Sequence, residues 1–287
     1  MYAITGITGQ VGGVVARQLL GQHKAVRAVV RDAAKGAQWV AQGCDLALAD
    51  MNDADALERA FHGTQGVFIL LPPTFDPGAG FPEARATIAA IRKALLAAQP
   101  RKVVCLSTVG AQASQSNLLN QLGLLEEALR DLPMPAAFLR AGWFMENALW
   151  DVAPARDGVM PSYLQPLDKP VPMVATADVG RVAAELLQEE WEGKRVVELE
   201  GPKRMTPNEV AACFGKLLGR DVAAQAVPRF TWADAFRAQG MRNPLPRMQM
   251  LDGFNEGWIE FEGGRAGSRK GVVELETVLR ELIANRR

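Results

Sequence analysis

The sequence predicts an α/β fold, a doubly wound parallel sheet followed by a smaller C-terminal α/β unit. Two observations predict it. From Tyr2 to Leu139, short apolar runs alternate with longer amphipathic ones, the rhythm of right-handed βαβ units. Within that stretch, residues 67–71 and 103–106 are near-continuous apolar runs, as strands covered on both faces should be.

Each element follows in order. Residues 2–5 read as a first strand, and residues 10–20 carry Val11, Val14, Val15 and Leu19 at helical spacing. A valine-rich second strand (25–30), a second helix (34–42) and a third short strand (44–48) come next. Asp53 stands where it can cap a helix over 53–61 whose Leu57 and Phe61 face inward. Between the strands at 67–71 and 103–106, Phe81, Ile88, Ile91 and Leu95 mark one face of a long helix, and 136–139 is a sixth strand. Beyond residue 150 the rhythm breaks. Prolines crowd 154–172, and 178–187 reads as a further helix. Residues 196–199 read as a late strand placed to return to the first sheet. Thr206, Pro207 and Glu209 then open a helix as cap, N1 proline and N3 acid. The chain divides into residues 1–150, the sheet domain, and 151–287, a smaller lid over a cleft.

Composition narrows the classes. Lys plus Arg (32) equals Asp plus Glu (32) among 287 residues, so no basic surface for nucleic acid or anionic membrane is indicated. Cys44, Cys105 and Cys213 lie far apart with no CxxC pair, which reads as free thiols in a reducing compartment. His23 and His62 have no ligand-spaced neighbours, so no metal site is expected. No run approaches the ~18–20 apolar residues that span a bilayer. With an N-terminus that enters a strand at once, the expectation is a cytoplasmic protein.

Thr5-Gly6-Ile7-Thr8-Gly9-Gln10-Val11-Gly12 lies where the first strand gives way to a helix. Glycines there permit a tight turn and close backbone approach to a pyrophosphate, while first-turn N–H groups and the helix dipole face the anion. The spacing GxxGxxG in this context makes residues 1–150 a Rossmann domain for a nicotinamide dinucleotide. At the end of the second strand, arginine would accommodate a ribose 2′-phosphate and an acid would bind a 2′-hydroxyl. Arg31 precedes Asp32, strand alternation lets only one meet the ribose, and Lys35 supplies a second cation. NADP(H) is thereby favoured over NAD(H).

The stretches TGITGQVG, VRAVVRD, VVCLSTVG and LRAGWFMEN (residues 139–147) together resemble the NmrA-like group of atypical short-chain dehydrogenase/reductases. The nearest subgroup is the NAD(P)H:quinone oxidoreductase type, and the likeness covers nearly the whole chain. The resemblance implies cofactor contacts from Gly6, Thr8, Gly9, Gln10, Val11, Gly12, Arg31, Lys35, Asp50, Leu71, Pro72, Ser107 and Thr108. It also implies that Gly142, Trp143, Phe144 and Asn147 lie beside the nicotinamide and the acceptor. The proline-rich loop 72–82, with Pro73 and Phe75, would overhang the nicotinamide as a semi-rigid wall.

Many short-chain reductases place Tyr-x-x-x-Lys on the helix after the fifth strand. Here that helix, 117–127, has neither residue, and Leu122 stands where related proteins keep the lysine. Only Tyr2 and Tyr163 exist. A positioned general acid contributes roughly 10²–10⁴-fold, so reduction of a simple ketone is disfavoured. Quinone reduction releases a phenolate-like anion with a pKa of about 10 and needs less help. Two functions stay open: an NADPH-dependent reductase of a quinone-like or conjugated small molecule, and a catalytically silent NADP(H) sensor acting through a protein partner. No catalytic residue is named, and a homo-oligomer is left open.

Overall fold

The computed structural model describes residues 1–285. The first half alternates β1 (Tyr2–Ile4), α1 (Gln10–Gly21), β2 (Val26–Val30), α2 (Ala33–Val40), β3 (Asp45–Leu48), α3 (Ala54–Phe61), β4 (Gly66–Ile69), α4 (Pro82–Ala98), β5 (Val103–Thr108), α5 (Asn120–Leu129) and β6 (Ala136–Ala141). After it come β7 (Trp143–Phe144), a 3-10 turn (Met145–Trp150), α6 (Val152–Arg156), β8 (Val159–Ser162), β9 (Met173–Val174), α7 (Thr176–Gln188) and β10 (Lys194–Glu200). The chain finishes with α8 (Pro207–Leu218), β11 (Ala223–Ala226), α9 (Trp232–Ala238), α10 (Leu245–Glu256), α11 (Gly264–Gly267), β12 (Arg269–Lys270) and α12 (Leu275–Asn285).

Among the described residues eight strands join in the order β12-β10-β6-β5-β4-β1-β2-β3, every pair parallel. The order reverses between β1 and β4, which makes the carboxyl ends of those strands the switch point where open α/β sheets bind ligands. Strand alternation splits the sheet's side chains between two cores. Tyr2, Ile4, Val26 and Ala28 pack with Val11, Val15 and Leu19 of α1 and with α7 on one face. Ala3, Val29, Val67 and Ile69 pack with α3, α4 and α5 on the other. Gly180 permits the closest helix contact: a Cβ there would lie 2.5 Å from Val14 Cβ.

The segment after residue 150 serves both regions. It returns α7, β10 and β12 to the first sheet, β10 pairing in register with β6 from Lys194↔Ala136 to Leu199↔Ala141. It also forms a third core from Met160, Phe214, Trp232, Phe236, Leu251, Phe254 and Leu279, flanked by the parallel pairs β7–β9 and β8–β11. Thr206 forms the capping box with Glu209, and Pro207 occupies the first turn of α8.

Boundaries shift where side chains intervene. β1 stops at Ile4 and β4 at Ile69, short of the expected residues 5 and 71, because Thr5 Oγ1 accepts from Leu70 N (2.9 Å) and donates to Phe68 O (3.0 Å). α5 starts at Asn120, not 117. Asn117 Oδ1 accepts from Leu119 N, and Asn120 Oδ1 accepts from Asn117 N, so two asparagines hold a turn in place of the first helical residues. No helix among the described residues is long and apolar enough to cross a membrane.

Candidate functional site

The chain leaves β1 through Gly6 in the left-handed region (φ +62°). Gly9 N donates to Gly6 O at 2.9 Å, and Gly13 N donates to Gly9 O at 3.0 Å. A Cβ at Gly12 would overlap the Gly6 carbonyl oxygen and lie 2.6 Å from its carbon, so α1 can start over the turn only with glycine there. Gly9, the N-cap, offers no side-chain acceptor, and the first turn holds no acidic residue. The first-turn N–H groups, Gln10, Val11 and Gly12, are therefore left for another acceptor at the positive end of the helix dipole. Thr8, Gly9 and Gln10 are exposed; Val11 and Gly12 are buried beneath them.

At the end of β2, Asp32 N-caps α2, its carboxylate accepting from Ala34 N at 2.9 Å. That cap takes up one oxygen of the acid. Arg31 and Lys35 are exposed and make no ion pair among the described residues. Asp50, just past β3, is occupied locally, its Oδ1 accepting from both nitrogens of Asn52 at 2.9 and 3.1 Å. Leu71 is buried, whereas Pro72 and Pro73 are exposed.

Beneath the ends of β5 and β6 lies a buried polar cluster. Arg140 forms a two-pronged pair with Glu126 of α5 (Nε–Oε1 2.9 Å, Nη2–Oε2 2.7 Å) and a further bond to Glu262 (2.8 Å). Both Arg140 and Glu126 side chains are at most 3% exposed. Burial works against the charge of Arg140, but the carboxylates of Glu126 and Glu262 more than offset it and raise its pKa. Ser107 Oγ donates to Glu126 Oε1 at 2.5 Å. The buried carboxylate thus holds the Ser107 hydroxyl, and the backbone of Ser107 is what a cofactor could still meet. Thr108 is half-buried, its hydroxyl donating to Val109 O at 3.2 Å.

Gly142 serves the strand crossing. It is buried, with N donating to Leu199 O (2.9 Å), and a Cβ would lie 2.6 Å from Pro172 O; glycine lets β6 cross into β7. Trp143 is half-buried and meets Phe254 of α10 edge-on, centroids 5.4 Å apart. Phe144 packs on the first core. Asn147 is exposed within the 3-10 turn, whose N-cap is Phe144. Close by in sequence, Glu146 accepts from Thr176 N and Oγ1, and burial pushes the Asp151 carboxyl up to about 7.

The loop 72–82 is stapled down. Asp76 accepts from the backbone of Arg242 (3.0 Å) and Asn243 (2.7 Å), Asn243 Nδ2 donates to Pro77 O (3.1 Å), and Gln121 Nε2 donates to Thr74 O (3.1 Å). Phe75 on this loop is 64% exposed. The backbone N–H groups of Arg242 and Asn243 hold the Asp76 carboxyl below the usual range. Sequence reasoning missed Asp76, Glu126 and Arg140. Only Arg140 left a signal, a charge within the apolar run Ala136–Ala141. Tyr2 opens β1 at the opposite edge of the sheet, and Tyr163 packs on Trp232 and Phe236. Leu122 packs beside the second face.

The NmrA-like family model matches residues 2–257. Quinone oxidoreductase 2 of Escherichia coli (strain K12) is 30% identical over 251 residues, 86% of this chain and 85% of that protein. The NAD(P)H azoreductase of Xenophilus azovorans is 26% identical over 246 residues, 85% of this chain and 83% of its own. The structure of an NADPH-dependent quinone oxidoreductase from Escherichia coli in complex with NADPH superposes with a TM-score of 0.78 at 26% identity, covering 99% and 95% of the two chains.

Proposed function

Since the chain belongs to the NmrA-like family, we propose that it is an NADPH-dependent oxidoreductase that passes hydride to a quinone-like or otherwise conjugated small molecule. One observation carries this reading. The uncapped, glycine-closed start of α1 lies on the sheet edge where Arg31 and Lys35 stand without carboxylate partners while Asp32 is spent on a helix cap. The N–H groups of Gln10, Val11 and Gly12 would take the diphosphate, and Arg31 with Lys35 the 2′-phosphate. The backbone at Leu71, Pro72 and Thr108 would border the nicotinamide half. Bound cofactor would supply the hydride.

This chain's own residues orient and exclude water. Loop 72–82, clamped through Asp76, and the aromatic pair Trp143–Phe254 would wall the acceptor site. No tyrosine stands beside a lysine on α5. That suits an acceptor whose reduced form is a delocalised phenolate better than one that releases an alkoxide. The same absence favours a second reading, a silent NADP(H) sensor. Incubation with NADPH and a panel of small quinones and azo dyes separates them. Cofactor oxidation above the uncatalysed rate supports the enzyme; saturable NADPH binding with no turnover of any acceptor supports the sensor.

A further inference from the structure

Arg247 stands apart from other half-buried arginines of the C-terminal half. Arg204 pairs with Glu200 and Glu260, Arg181 with Asp178, and Arg269 with Glu185. Arg247, on the first turn of α10, has no carboxylate partner among the described residues. Its guanidinium lies over the Phe236 ring, 4.4 Å from the centroid, and its one hydrogen-bond contact among the described residues is to the Met241 sulfur at 3.7 Å. Burial beside Phe236 lowers its pKa, with Tyr163 acting weakly the other way. A cation partly stripped of water with no counter-charge costs free energy; a methionine would fill that space without the cost.

Its position on the helix relates the charge to the aromatic pair. Arg247 and Phe254 are seven residues apart, two turns, and so share a face of α10 at roughly 10 Å separation. Phe254 is the edge partner of Trp143. The same helix start is tied to the segments after β4 and β5, since Pro246 O accepts from Leu118 N, and Asn243 N donates to Asp76 of loop 72–82. The stacked guanidinium is held rigid, with N–H groups left over for an oxyanion fork.

We propose that Arg247 anchors an anionic substituent, sulfonate or carboxylate, of an aromatic acceptor whose reacting ring lies against Trp143. This rests on the reductase reading for the word acceptor, but it is tested by binding alone. Equilibrium binding of anthraquinone sulfonate and of neutral hydroxymethylanthraquinone is measured on the full chain saturated with NADP⁺, which cannot reduce them, for wild type, Arg247→Met and Arg247→Lys. The sulfonate should bind about ten- to hundredfold more weakly to Arg247→Met, the loss expected for a charge-assisted bond. The neutral compound should change less than about twofold, and Arg247→Lys should recover part of the loss. NADPH affinity should not move, which separates an acceptor anion from the cofactor's own phosphates. Equal losses for both compounds, an unchanged sulfonate, or a weakened NADPH would each overturn the assignment. Absence of turnover alongside the expected binding pattern would sink the reductase reading and leave the anion site standing.

Discussion

The glycine turn at residues 6–12 and the surroundings of Trp143 are made of different materials. At residues 6–12 the geometry is backbone: a left-handed Gly6, a Gly12 with no room for a Cβ, and a helix start with no side-chain cap. Around Trp143 it is side chain: a buried Arg140–Glu126 pair, an aromatic edge contact and a carboxylate staple at Asp76. A backbone site tolerates almost no substitution at its glycines but is indifferent to most neighbours. A side-chain site distributes its cost over partners far apart in sequence, such as Glu126 and Glu262, and is correspondingly open to change.

The largest effect tests the side-chain region. Glu126→Ala would leave Arg140 buried with its main partner gone, and breaking such a pair costs about 3–5 kcal/mol. Urea denaturation should show it as a lower midpoint with an unchanged slope. Replacing both partners by apolar residues should recover much of the loss; a double variant as unstable as the sum of the singles would contradict the pairing.

Next comes the backbone region. Gly12→Ala should weaken NADPH by about a hundredfold, roughly 2.7 kcal/mol, because the added methyl overlaps the Gly6 carbonyl. Gly21→Ala, at the far end of the same helix with nothing within 4 Å, is the control and should bind normally. Calorimetry on both, with circular dichroism to check folding, decides; similar affinities for the two variants would mean the loop is not the phosphate site.

A smaller effect separates charge from backbone. Arg31→Ala should lose about tenfold in NADPH affinity, as for one charge-assisted bond, and leave NADH within about twofold. Equal losses for the two cofactors would remove Arg31 from the 2′-phosphate.

These differences also explain what the sequence could disclose. Gly6, Gly9 and Gly12 announce themselves because spacing alone encodes a turn, and the Thr206–Glu209 capping box is local in the same way. Asp32 looks like a rival to Arg31 only because its bond to Ala34 N is invisible until α2 is seen to begin there. Ser107 and Gly142 sit in legible motifs, yet their surroundings come from Glu126 and Pro172, partners that only tertiary structure supplies. Asp76 lies within a loop recognisable by its prolines, and its partners stand 166 and 167 residues away.

A further effect concerns pH. Burial raises Asp151 from 3.8 to about 7 in the folded chain, so the fold takes up a proton across that window. Its contribution is full below the unfolded pKa and is lost as pH rises through about 7. Asp151→Asn should therefore raise Tm at alkaline pH and change it little in acid, read by scanning calorimetry at both. A Tm gain of the same size at every pH would contradict the titration.

The central claim is that main-chain N–H groups at the start of α1 close on a dinucleotide diphosphate. Titrating NADPH and then NADH into the purified chain by calorimetry tests it without any acceptor. The account predicts one saturable site per chain for NADPH, bound more tightly than NADH. No heat and no saturation with either nucleotide would contradict it.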